Sequence, residues 1–181
     1  MNYYGPRELA ASFRTVRKNT IQIAEEIPED HYNYRAAPGS RSVAETLVHI
    51  AVAPRVQEHI HVISKLHTLA GFDFFGLHQK LLAEEQVSRS KAEIVELLRS
   101  EGERFARILE TFPEEHLQER VEYPQGMTPP SKSRFEMLLG PKEHEMHHRG
   151  QLMLIERMLG VIPHLTRQMQ ERVAAMQAGR S

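Results

Sequence analysis

The chain has 181 residues, 40% hydrophobic and 26% charged, which suits one globular domain with a sizeable core. A net charge of −1 with scattered Lys and Arg argues against a nucleic-acid partner, and no run approaches the about 18 apolar residues of a membrane span, so a cytoplasmic protein is expected. The absence of cysteine excludes disulfides, thiolate nucleophiles and iron–sulfur ligation, while eleven histidines are the one compositional anomaly.

Gly5 to Ile27 repeats apolar residues at helical period (Leu9, Phe13, Val16, Ile23, Ile27), and Pro28 ends this first helix. A connection through Ala36-Ala37-Pro38-Gly39-Ser40 leads to the capping box Ser42-Val43-Ala44-Glu45, which starts a second helix. That helix carries Leu47, Ile50, Val56, Ile60 and Ile63, is kinked or broken at Pro54, and is expected to close at Gly71. Phe72 to Glu85 reads as an aromatic-rich connection, with at most a short helix, crossing the end of a bundle. Ser90-Lys91-Ala92-Glu93 caps a third helix that runs to Pro113. A Pro-rich loop, His116 to Lys132, precedes the box Ser133-Arg134-Phe135-Glu136 and a fourth helix ending at Gly160, with Pro163 beyond. Leu165 to Met176 is a candidate tail helix of little consequence.

The chain repeats itself. Ile27-Pro28-Glu29-Asp30-His31 and Phe112-Pro113-Glu114-Glu115-His116 each end a helix, and each is followed by a Pro/Gly loop, a Ser-x-x-Glu box and a helix with an interior proline and histidine. Two copies of one helical hairpin give an all-α four-helix bundle over about residues 5–163, with a long crossover between helices 2 and 3, a pseudo-two-fold repeat and a tail at 164–181. No stretch alternates with period two for long enough to read as a strand.

His144 and His148 lie four apart in the fourth helix and so share a face, which continues through Leu152, Ile155 and Leu159 toward the core. Two imidazoles aimed into a core form half of a metal site, since a divalent ion satisfies several buried imidazoles together. The third ligand should come from another helix, and His49, early in the repeat partner of helix 4, is the best candidate. At most one of His59 and His61 faces inward; His67, His78, His31 and His116 read as surface histidines, and His147 as a rim or interface residue. His144-Glu145-Met146-His147-His148 also matches the H-E-x-x-H helix of zinc proteases with Glu145 as general base. Without a strand to bind an extended peptide that reading is weak, and Glu145 then reads as a solvated residue.

Three segments resemble the DinB/YfiT-like metalloenzyme family: Ser42-Val43-Ala44-Glu45-Thr46-Leu47-Val48-His49, His144-x-x-x-His148-Arg149-Gly150-Gln151, and Leu159-Gly160-Val161-x-Pro163. The resemblance spans roughly residues 5 to 163 and implies a four-helix bundle with a long crossover. It implies His49, His144 and His148 as ligands of a divalent ion, zinc or nickel, with a position left for water or substrate. Pro54 and Pro141 depart from the common pattern. The chemistry implied is that of a hydrolase or of a thiol S-transferase acting on a small-molecule substrate, with a low-molecular-weight thiol as the borrowed sulfur. The alternative is a non-enzymatic, metal-stabilised bundle that binds a small molecule or partner in a stress response. Pairing through a helical face, as a homodimer, is a further expectation, without an assigned face.

Overall fold

A computed structural model describes residues 4–179. In chain order the helices are α1 (Pro6–Glu26), α2 (Val43–Val52), α3 (Arg55–Glu58), which continues into a π-helical turn His59–Ile63, and α4 (Phe74–Glu85). There follow α5 (Lys91–Thr111), α6 (Glu114–Gln118), strands β1 (Arg120–Glu122) and β2 (Ser131–Ser133), then α7 (Arg134–Met158) and α8 (His164–Ala178). The four struts of the bundle are α1, the α2–α3–π assembly, α5 and α7.

Local chemistry sets the starts of three struts. In each of the boxes Ser42/Glu45, Ser90/Glu93 and Ser133/Glu136 the serine hydroxyl accepts from the N3 backbone, and the glutamate accepts from the serine N–H. Each cap satisfies two donors that the first helical turn leaves open, a gain of about 1 kcal/mol. The prolines act differently in the two halves. Pro54 interrupts the second strut after Val52, whereas Pro141 sits buried inside α7, which continues through it.

α1 packs on α5 and α7, while α2 packs on α5, α7 and α4, so the struts stand in the ring order α1, α5, α2, α7. The repeated halves are thus not hairpins of adjacent helices: the two struts of each half lie across the diagonal. Tight turns would have forced neighbours together, but residues 28–42 and 113–133 leave enough chain to cross. The all-α fold and the crossover between the second and third struts, residues 64–90, are as expected. Leu9, Phe13, Phe105, Leu109 and Leu138 fill one end of the core; Ile23, Leu47, Ile50, Leu98 and Leu152 fill the other. Between them Arg17, 3% exposed, crosses Gly102, where an added Cβ would come within 2.7 Å of Arg17 Cγ.

Three segments depart from the reading of the sequence. The second strut stops at Ile63 rather than Gly71, because Lys65 adopts φ +46° and turns the chain away. Phe74–Glu85 is a full helix, α4, capped by the Asp73 carboxylate accepting from Gly76 N–H at 2.8 Å. The Pro-rich loop contains an antiparallel ladder pairing Arg120 with Ser133 and Glu122 with Ser131. Three-residue strands are too short to show alternation, and this one is held further by Glu122 bonding the backbone of His67 and Leu69.

Candidate metal centre

His49 projects from α2, and His144 and His148 from successive turns of α7, into the seam where these helices meet. The Nε2 atoms of His49 and His148 stand 2.9 and 3.1 Å from His144 Nε2, and one nitrogen from each ring lies within 4.8 Å of the others. The three rings meet edge to face, with centroids 4.5 to 4.9 Å apart. Pro54 follows His49 by more than a turn and Pro141 precedes His144 without ending α7, so neither break separates the ligands.

Two of the three outer nitrogens are engaged. His49 Nδ1 lies 2.8 Å from Glu85 Oε1, and His148 Nδ1 lies 2.8 Å from Gln151 Oε1. A carboxylate and an amide oxygen can only accept, so each Nδ1 carries the proton and each Nε2 turns a lone pair inward. Glu85, 6% exposed, also accepts from Arg41 Nε at 2.5 Å. Burial pushes the Glu85 carboxyl up, but the hydrogen bonds from His49 and Arg41 outweigh it and hold the group ionised, below its usual range. His144 is pushed down to about 4, by burial first and then by His148 and His49. His148 is lowered mainly by burial as well. Both of these imidazoles of α7 are thus held toward the neutral form, the one that binds metal. Nitrogens held by a tetrahedral ion at about 2.05 Å stand roughly 3.3 Å apart, so the cluster accommodates such an ion with small ring adjustments.

The model of the DinB family matches residues 1–177. The chain belongs to the DinB family. It is 26% identical over 153 residues to the protein YjoA of Bacillus subtilis (strain 168), covering 84% of this chain and 90% of YjoA. The crystal structure of that DinB-like protein superposes with a TM-score of 0.62 at 24% identity over 84% of this chain and 92% of its own. B. subtilis YfiT, described as a probable metal-dependent hydrolase with an unusual four-helix bundle topology, gives a TM-score of 0.67 at 13% identity, over 89% of this chain and 91% of YfiT. A DinB-like protein of Bacillus cereus gives 0.64 at 18% identity, over 86% and 93%. At these identities the structural likenesses bear on the fold.

Within this DinB fold the other marked residues go elsewhere. Glu145, 1% exposed, is no solvated residue: both its oxygens accept from Arg17 Nε, at 3.0 and 3.1 Å. Arg17 is completed by the carbonyls of Leu98 and Ile50, so the H-E-x-x-H reading loses its general base to a structural ion pair. The sequence offered no strand for that motif, yet β2 stands directly before α7; the three-residue ladder does not restore the reading, because Glu145 is already bound. His61 is the inward member of its pair, but it meets the buried Arg134 at 2.8 Å and is pushed down to about 3, chiefly by burial. His147 is exposed, with Nε2 3.2 Å from Gln151 Nε2. His116 is half-buried against Phe112, and His78 lines a cavity beside His144, so neither is an ordinary surface histidine.

Glu85 and Arg41 were not among the residues singled out from the sequence. Glu85 ends α4, a segment read as connection, and a residue without an assigned helix has no assigned face. Arg41 lies one residue before a cap, where its direction depends on where α4 docks. The one available signal was the run Ala83-Glu84-Glu85, two carboxylates closing an amphipathic stretch.

Proposed function

We propose that this protein is a metal-dependent enzyme in which His49, His144 and His148 hold a divalent ion, zinc or nickel, for hydrolytic or thiol-transfer chemistry on a small molecule. The observation that carries the reading is the orientation of the rings: Glu85 and Gln151 hold the outer nitrogens of His49 and His148, and the inner nitrogens of these two rings converge on that of His144. Carboxylate or amide contacts of this kind orient imidazole ligands and raise their basicity. A three-imidazole ion with an open position supplies Lewis acidity, lowering the pKa of a water or a thiol.

The chain's own residues do the rest. Glu85, anchored by Arg41, fixes His49 in one tautomer and places a compensating negative charge beside the site. Leu81, Val52 and Pro141 give one side of the site an apolar wall, while Arg41, Thr46 and Gln151 bring polar groups to the opening on the other. The absence of cysteine leaves a thiol, where one is used, to come with the substrate. The zinc-binding experiment compares two neighbouring histidines. His148→Ala is expected to abolish stoichiometric zinc binding in competition with a chromophoric chelator, and His147→Ala to leave it unchanged. Equal loss in both, or binding retained in His148→Ala, would contradict the ligand set.

A further inference from the structure

A cavity of about 310 Å³ opens beside the imidazoles of His49 and His144. Its apolar walls are Val52, Ala53 and Val56 on the second strut, Phe74 and Leu81 on α4, and Gly140 with Pro141 on α7, with the polar groups of Gln57, His78 and Glu85 at intervals among them. Two of these wall positions are unusual. The strut is interrupted at Ala53–Pro54, so the helix surface there is short of side chain. Opposite it, Gly140 occupies the interior of α7 although glycine is unfavourable there. Close packing does not require it: a Cβ built on Gly140 meets nothing within 4 Å. An unfilled, mostly apolar space persists where ordinary helical residues would have closed it.

We propose that this cavity receives an apolar group of the substrate, an aryl or branched-alkyl substituent attached directly to the part presented at the three histidines. The inference rests on the metal-dependent reading above for what is presented, and on the cavity itself for what is bound. A space of about half this volume, lined by aliphatic and aromatic groups, is enough to hold a ring of benzene size. The second opening at the site, about 630 Å³, has Leu82, Leu154 and Ile155 in its walls but also carries Ser40, Arg41, Thr46 and Gln151, whose polar groups can take the polar remainder of the molecule. Phe74, 54% exposed at the cavity's lip, would be covered by the bound group.

Two probes separate the cavity from the metal. Toluene titrated into metal-free protein should shift the methyl resonances of Val52, Val56 and Leu81, and the shifts should be lost in Gly140→Leu and in Ala53→Leu. Gly140→Leu places a helix-forming residue where there is space, so the plugged chain should fold, as its circular dichroism and melting will show. In zinc-loaded protein benzohydroxamate should bind about tenfold or more tightly than acetohydroxamate, with the difference abolished by either plug and acetohydroxamate unaffected. Absence of toluene shifts in the wild type, or equal affinity for the two hydroxamates, would overturn the proposal. Failure of acetohydroxamate to bind at all would contradict the metal reading alone, and the toluene arm would still decide the cavity.

Discussion

Glu85 does for His49 what Gln151 does for His148, but with a full charge. Its carboxylate takes the Nδ1 proton of His49 on one oxygen and Arg41 on the other, so ring, carboxylate and guanidinium form one chain from site to surface. Contacts of this kind contribute about 10–100-fold to metal affinity. Glu85→Gln, which keeps the shape and removes the charge, should therefore weaken zinc binding about tenfold without changing its stoichiometry. Competition titration reads this directly, and wild-type affinity in the variant would show that His49 needs no charged partner. At this scale the sequence was most legible where spacing alone decides. Residues four apart on a helix share a face whatever the tertiary fold, so His144 and His148 could be paired on sight. Whether a residue faces inward also depends on its neighbours: Glu145 lies one step round α7 from His144 and meets Arg17 rather than water.

Among the elements, α8 is more than a tail. His164 at its start is 1% exposed, and Arg167 one turn on reaches Glu26 of α1 at 2.6 Å. Beneath it Glu156 of α7 is fully buried, and neither of its carboxylate oxygens has a hydrogen-bond partner among the described residues. Burial, and then the nearby Glu26 carboxylate, push Glu156 up to about 7 against the pull of Arg167 and Arg157. The folded chain thus keeps a proton that the unfolded chain releases at about pH 4.3. Stability from this group is whole below that value and is lost as pH rises through 7. Glu156→Gln, which never ionises, should gain stability over the wild type by about 2.5 kcal/mol between pH 5 and pH 8. Urea unfolding at the two pH values is the check; an equal gap at both would mean that Glu156 does not titrate in this range. Sequence exposed the elements unevenly. The three Ser-x-x-Glu boxes mark their helices because capping is local, whereas the second strut ends on a positive φ at Lys65, a residue with no turn signature, and the short ladder depends on Glu122 meeting the distant backbone of His67 and Leu69.

For the molecule as a whole, the internal repeat matters more than any one motif. It places α2 and α7 in equivalent positions, so a histidine from each half meets in the middle, and the diagonal ring order brings those two helices into contact. Repetition of the caps and interior prolines made the four struts legible. The ring order was not, because long connections release the neighbour rule that short ones impose. The metal reading depends on this cross-half meeting, since His144 and His148 alone supply only two ligands from one helix. The most direct measurement is the metal content of the untagged protein as purified, beside that of His49→Ala. The account predicts about one zinc or nickel per chain in the wild type and none in the variant, with both still helical. No metal in the wild type and none taken up on addition, or full occupancy in His49→Ala, would contradict it.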